Sequence, residues 1–331
     1  MAQKTLTIIL GLILVGGLAW YINKNYLAPQ GSNSKFPVPF GTSETVNGAL
    51  SANTEQPREK LIFSQSSPGF SIYQWQEGKG KKLFTDTDEK LKITKLSNVA
   101  SASGQVLAIF TPESHESAGE LYAISLSNAQ KESLRQSFIA PSMWALSSDG
   151  EKIAQVRFSN LEENYGYSIY IEEKGGGKAR KLFLSQTEIF AIAWDGSSSK
   201  LAFSYFENEN TLVKTIDVNL GTVEDIITFE KKVIDSLVWQ KSAKLFVSLR
   251  EMTADNEGEI GQIKLGYNSY QKITDFYGGR VFDLSLSLDQ KNLGYLVAKK
   301  QASDGQIYIL NIENLAKISV QKGRQVLGWL P

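Results

Sequence analysis

The sequence predicts an all-β fold: a six-bladed β-propeller over residues 58–331, closed by its own C-terminal strand. Three observations carry that expectation. A polar turn running into an apolar strand recurs at a near-constant interval. Each recurrence is followed by two more strands in the same order. The one strand missing from the series stands at the end of the chain.

The turn is clearest at 146–153, Leu-Ser-Ser-Asp-Gly-Glu-Lys-Ile. Weaker copies occupy 100–107, 194–201 and 286–293, and the copy at 238–245 is one residue shorter between Trp239 and Leu245. The apolar pairs that follow are Ile62-Phe63, Leu107-Ala108, Ile153-Ala154, Leu201-Ala202, Leu245-Phe246 and Leu293-Gly294. Their first members lie 45, 46, 48, 44 and 48 residues apart. That period exceeds leucine-rich and ankyrin repeats and fits a four-stranded blade. Third strands are expected at 70–75, 120–126, 167–173, 211–218, 259–265 and 306–312. Fourth strands are expected at 81–85, 132–136, 180–184, 224–228, 271–275 and 316–320. The first strand appears only five times within this series. Its sixth copy is 325–331, where Trp329 takes the place of Trp194 and Trp239. Pairing of this tail with 59–65 closes the ring and removes the open sheet edges. The second strands are apolar almost throughout, as in Leu-Ala-Ile-Phe at 107–110. Loss of alternation is what a sheet covered on both faces shows.

The pattern hydrophobic-Ser-x-Asp-Gly-x-x-Ile/Leu resembles the TolB-like and WD40-type propeller repeat, often written W-S-P-D-G. Residues 146–153 carry the resemblance, with weaker copies at Ala100, Trp194, Trp239, Leu286 and Trp329. It covers about 58–331 and implies a fold. The family spans translocation accessories, scaffolds and non-catalytic halves of peptidases, so it implies no single activity. The Asp-Gly pair is intact only at 149–150 and, shifted, at 195–196. The amino-terminal domain of TolB does not fit into 1–57, and the sialidase Asp box is absent.

Residues 5–22, TLTIILGLILVGGLAWYI, form an uncharged run of 18 residues between Lys4 and Lys24. As a helix it spans roughly 27 Å, close to a bilayer core. Trp20 and Tyr21 fall where amphipathic rings favour the headgroup zone. A transmembrane anchor over 1–24 is therefore expected, with the rest of the chain on the extracytoplasmic side. A cleaved signal peptide is the alternative, with Gly17 and Ala19 as the small residues before the cut. Residues 25–57 carry Pro29, Pro37, Pro39 and Pro57 among Ser, Asn, Thr and Gly without any period. They are expected to form a disordered tether with a reach of roughly 30 Å.

Lys plus Arg total 35 and Asp plus Glu total 35, a balance that gives no global signature for nucleic acid. There is no Cys, which excludes disulfides, thiol nucleophiles and thiolate-bound zinc. His115 is the only histidine and no G-x-S-x-G is present, so a Ser-His-Asp triad is not expected. The stretch 251–259 sets Asp255, Glu257 and Glu259 at alternate positions around Gly258, a loose calcium-like loop without EF-hand spacing. The Gly175-Gly176-Gly177 run opens no helix and is explained by turn chemistry.

The loops between second and third strands share one face of a propeller and are here expected to be long and mostly acidic: 111–119, 159–166, 205–211 and 250–259. They supply a candidate partner-docking face of Glu113, Glu116, Glu162, Glu163, Glu207, Glu209, Asp255 and Glu257. The turns between third and fourth strands lie opposite, and those at 76–82 and 174–181 are basic. The expected function is a non-catalytic, membrane-anchored interaction or scaffold module of a prokaryotic cell envelope. It needs no cofactor, has protein partners, and shows no sign of a homo-oligomer. The alternatives are a calcium-dependent hydrolase or lactonase with its site on the central axis, and small-ligand or glycan binding at the channel mouth.

Overall fold

The computed structural model describes residues 59–331 except 67–69, 88–90, 113–117, 163–164, 241–242, 255–256 and 300–303. The anchor predicted over 1–24 and the tether over 25–57 lie outside the described residues. No helix among the described residues is long and apolar enough to cross a membrane.

The described residues form six four-stranded antiparallel sheets. Blade 1 comprises β24 (Gln325–Leu330), β1 (Lys60–Gln65), β2 (Ser71–Gln76) and β3 (Lys79–Thr85). Blade 2 comprises β4 (Leu91–Ala100), β5 (Gln105–Pro112), β6 (Ala118–Ser125) and β7 (Lys131–Ile139). In blade 3 the strands are β8 (Met143–Leu146), β9 (Lys152–Ser159), β10 (Gly166–Glu173) and β11 (Arg180–Ser185). Blade 4 holds β12 (Ile189–Trp194), β13 (Lys200–Glu207), β14 (Asn210–Asp217) and β15 (Val223–Glu230). Blade 5 holds β16 (Lys232–Gln240), β17 (Lys244–Glu251), β18 (Glu257–Lys264) and β19 (Ser269–Tyr277). Blade 6 is β20 (Arg280–Leu286), β21 (Asn292–Ala298), β22 (Gly305–Asn311) and β23 (Lys317–Gly323). The innermost strands β4, β8, β12, β16, β20 and β24 contact one another in a closed ring. We call the strands of each blade A to D from the axis outward.

Burial follows this radial order. B strands are buried along nearly their whole length, as in β5, β13 and β17, because neighbouring blades cover both faces. D strands such as β3 and β19 are exposed along most of theirs. Each blade therefore packs its apolar residues against the next. Phe63, Trp75, Phe282, Leu296 and Trp329 join blades 6 and 1 in one cluster.

The repeating turn has a physical cause. In blade 3 the Ser147 hydroxyl accepts from the Lys152 N–H at 2.9 Å, and the Asp149 carboxylate accepts from the Glu151 N–H at 3.0 Å. Blade 6 repeats both bonds, Asn292 N–H to Ser287 at 2.9 Å and Lys291 N–H to Asp289 at 3.0 Å. In blade 4 Asp195 alone takes the N–H groups of Ser199 and Lys200, at 2.8 and 2.9 Å. Five A–B turns contain a residue with positive φ: Gly104 (63°), Gly150 (82°), Ser198 (57°), Ala243 (127°) and Gln290 (65°). Four of them, all but Ala243, share a left-handed geometry between 57° and 82°, so backbone geometry is repeated there where residue identity is not. Glycine suits it best, and other residues hold it at a modest cost.

Tryptophan ties the blades together near the axis. The indole N–H groups of Trp194, Trp239 and Trp329 each donate at 3.0 Å to an A-strand carbonyl of the preceding blade, at Ala145, Ala193 and Ser285. Trp144 does the same toward Leu96 at 3.0 Å, from a position two residues before the expected one. Trp194→Phe keeps most of the apolar packing but orphans the Ala145 carbonyl. It is expected to lower unfolding stability by about 1–2 kcal/mol, measured by urea titration.

Closure occurs as the sequence predicts, through pairing of β24 with β1. One register detail differs. Trp329 lies opposite Leu61, as Trp194 lies opposite Leu201, so Leu61-Ile62 and not Ile62-Phe63 is the equivalent pair in blade 1.

Candidate functional site

The A strands enclose an axial channel of about 1320 Å³ whose wall includes Asn98, Met143, Phe190, Asp235, Asp283 and Gln325. Two aspartates reach it by the same device. Asp235 interrupts the pairing of β16 with β17 between Ile234 and Ser236, and Asp283 falls in a shift of β20 against β21 between Phe282 and Ser285. Such bulges re-aim a side chain out of the ladder. Asp283 also takes φ 53°, the left-handed region in which Asp and Asn are the best tolerated non-glycine residues.

Their environments differ sharply. The Asp235 carboxylate, 4% exposed, accepts from Arg250 Nε at 3.2 Å and from Arg280 Nε at 3.0 Å, with a second, shorter bond from Arg280 Nη2. The Asp235–Arg280 pair joins blade 5 to blade 6. Asp283 has no ion pair among the described residues. Burial pushes its carboxyl up to about 7, against the opposing pull of the Val326 N–H. The side chain keeps partial contact with the channel, but protein surrounds it on the other sides. Lys95 also lines the channel. Its Nζ donates to the carbonyls of Pro141 and Ser142, and burial holds it below the usual lysine range.

The B–C connections share the face at which successive blades join, from each D strand to the next A strand. β1 begins at Lys60 opposite Leu330, on the A–B side, so the chain enters the propeller on the face away from the B–C loops. Glu59 is fixed there by the N–H groups of Leu288 and Asp289, at 2.6 and 2.8 Å.

Of the predicted docking residues, Glu162, Glu207, Glu209 and Glu257 are exposed on the B–C face. Glu113, Glu116, Glu163 and Asp255 lie outside the described residues. Two expectations about the loops are corrected. Residues 205–211 form a tight hairpin, with only Asn208 and Glu209 between β13 and β14, both at positive φ. Such a turn matches the twist of the flanking strands. The acidic stretch 251–259 is not one loop, since Glu257 and Glu259 belong to β18. Glu259 is engaged by Lys232 at 2.7 Å and Lys272 at 3.5 Å. Burial pushes its carboxyl up, but Lys232, Tyr270 and Lys272 together hold it below the usual range. Among the described residues no group of three or more His, Asp or Glu is placed to hold a metal ion.

The B–C face carries aromatic rings as well as acids. Phe158 contacts Tyr165 edge-on with centroids 5.8 Å apart and Tyr167 at 5.0 Å. Burial first, then the negative charge of Glu188, raises the Tyr167 phenol. Glu188 leads toward the axis, since its carbonyl accepts the Phe206 N–H at 3.3 Å. Phe206 meets the channel-lining Phe190 at 6.4 Å.

No protein-family model and no curated protein sequence matches the chain. Solved structures do. A chain of the nidogen/laminin complex is 12% identical with a TM-score of 0.59, over 82% of this chain and 97% of its own length. TolB from Acinetobacter baumannii is 11% identical with a TM-score of 0.60, over 82% of this chain and 66% of its own. A TolB protein from Agrobacterium tumefaciens is 12% identical with a TM-score of 0.58, over 83% and 94%. The chain is thus a six-bladed β-propeller similar in fold, and at these identities in fold alone, to the TolB proteins.

Proposed function

We propose that the chain is a membrane-anchored, extracytoplasmic interaction module that acts by binding. Residues 5–22 hold it in the membrane of a prokaryotic envelope, 25–57 tether the propeller, and the B–C face meets a protein partner. The observation that carries this reading is the path of the chain. It enters the propeller at Glu59 and Lys60 on the A–B side, so the face bearing exposed Glu162, Glu207 and Glu209 is the one opposite the point of entry and is left clear by the entering strand. A closed ring is a rigid support for such a face, and loops on rigid supports commonly carry recognition. Two of the less exposed carboxylates serve the scaffold: Asp235 is held by two arginines and Glu259 by two lysines.

Crosslinking with mass spectrometry in native membranes tests this. The triple substitution Glu162→Lys, Glu207→Lys and Glu209→Lys is expected to cut partner crosslinks on the order of tenfold, since rim charges govern encounter. Unchanged crosslinking, or crosslinks confined to the A–B side, would overturn it.

A further inference from the structure

We infer that blades 3 and 4 carry a docking stripe for a partner segment that combines Lys or Arg with large apolar side chains. This deepens the reading of the B–C face and rests on it. The stripe begins at the end of β9 and on the β9–β10 loop, where Phe158, Leu161 and Tyr165 are 51, 67 and 55% exposed. Large apolar side chains left in water side by side mark an interaction site more often than scattered single ones. It continues through Tyr167 and Glu188 to Phe206, which reaches the channel rim at Phe190.

Acidic groups line the same path. Glu162, Glu188, Glu207 and Glu209 are all exposed. Over the described parts of 158–166, 185–190 and 206–210 there is no Lys or Arg. Of the cations at its borders, Arg157 turns into blade 3, bound to Gln155 and lying over the Tyr170 ring, while exposed Lys231 marks where the stripe stops at the blade 5 edge, its backbone N–H donating to the Glu209 carbonyl. A basic side chain arriving here gains carboxylates for its charge and the faces of Phe158 and Tyr165 for cation–π contact. Apolar neighbours in the same segment would cover Leu161. The run of carboxylates disfavours an anionic lipid surface, which leaves a polypeptide as the occupant.

Panning a phage library of random 12-residue peptides on the full chain in nanodiscs tests the inference. Enriched peptides are expected to combine Lys or Arg with Leu, Phe or Trp. They should lose at least tenfold in affinity on Leu161→Ser and on Glu207→Lys with Glu209→Lys. No enrichment, or enrichment of acidic or purely polar peptides, would overturn the stripe. Peptides that respond only to Glu257→Lys in blade 5 would sink the stripe and leave the wider face standing. Peptides indifferent to every B–C substitution would remove both.

Discussion

Asp283→Asn is expected to stabilise the propeller, and only above acidic pH. The carboxyl moves from an ordinary value of 3.8 to about 7 on folding, chiefly through burial. The folded state therefore holds the proton more tightly than the unfolded state. The stability of the parent is complete below the lower value, falls between the two, and stays reduced above about pH 7. Asparagine cannot ionise, so the variant escapes that loss. The difference is about 4 kcal/mol at most and about 2–4 kcal/mol after allowing for channel water. Asparagine also tolerates the φ of 53° at this position, so the backbone does not object. Urea titrations at pH 4, 6 and 8 should show parent and variant converging at pH 4 and parting steadily to pH 8. A difference that ignores pH, or a variant less stable than the parent at pH 8, would contradict the isolation of this carboxyl.

Asp235→Ala is expected to do the opposite. It removes the acceptor shared by Arg250 and Arg280 and leaves two guanidinium groups together at the seam of blades 5 and 6. Breaking such a pair from one side costs about 3–5 kcal/mol, most of it from the charges left behind. Loss of stability in urea should be accompanied by earlier opening of β16 and β20 in hydrogen exchange. Asp235→Ala combined with Arg280→Met should recover part of the loss, because one of the stranded charges goes with it. A single variant within 1 kcal/mol of the parent, a margin well below that estimate, would show that the clamp contributes little.

The ring was legible because its cause is local and repeated. Five blades need a turn into a strand buried on both faces, and the spacing of Leu107, Ile153, Leu201, Leu245 and Leu293 displays that need directly. The degeneracy of the turn hid part of it. Ser198, Ala243 and Gln290 occupy positive φ without being glycine, so only the copy at 146–153 stands out. The hairpin at Asn208-Glu209 escaped detection for the same reason, since Asn-Gly would have announced it. The channel aspartates were less legible still. Each stands alone in an apolar inner strand, in Val-Ile-Asp-Ser-Leu at 233–237 and Val-Phe-Asp-Leu-Ser at 281–285, which is a signal in hindsight. Which way they point depends on bulges that no spacing reveals. Glu259 resembled a metal ligand because its partners Lys232 and Lys272 come from other strands, and only the sheet brings them together.

The tail strand has a temporal consequence. Lys60 holds the carbonyl of Pro331, 271 positions away. At ribosomal rates that separation takes roughly 14–54 s to synthesise. Throughout, the oldest sheet lacks its innermost member and the circle cannot shut. Blades 2 to 6 are each built from four consecutive strands and need nothing from the tail, so it is blade 1 and closure of the circle alone that wait for β24. A premature stop before Gln325 would release a product with a permanently bare hydrogen-bonding edge.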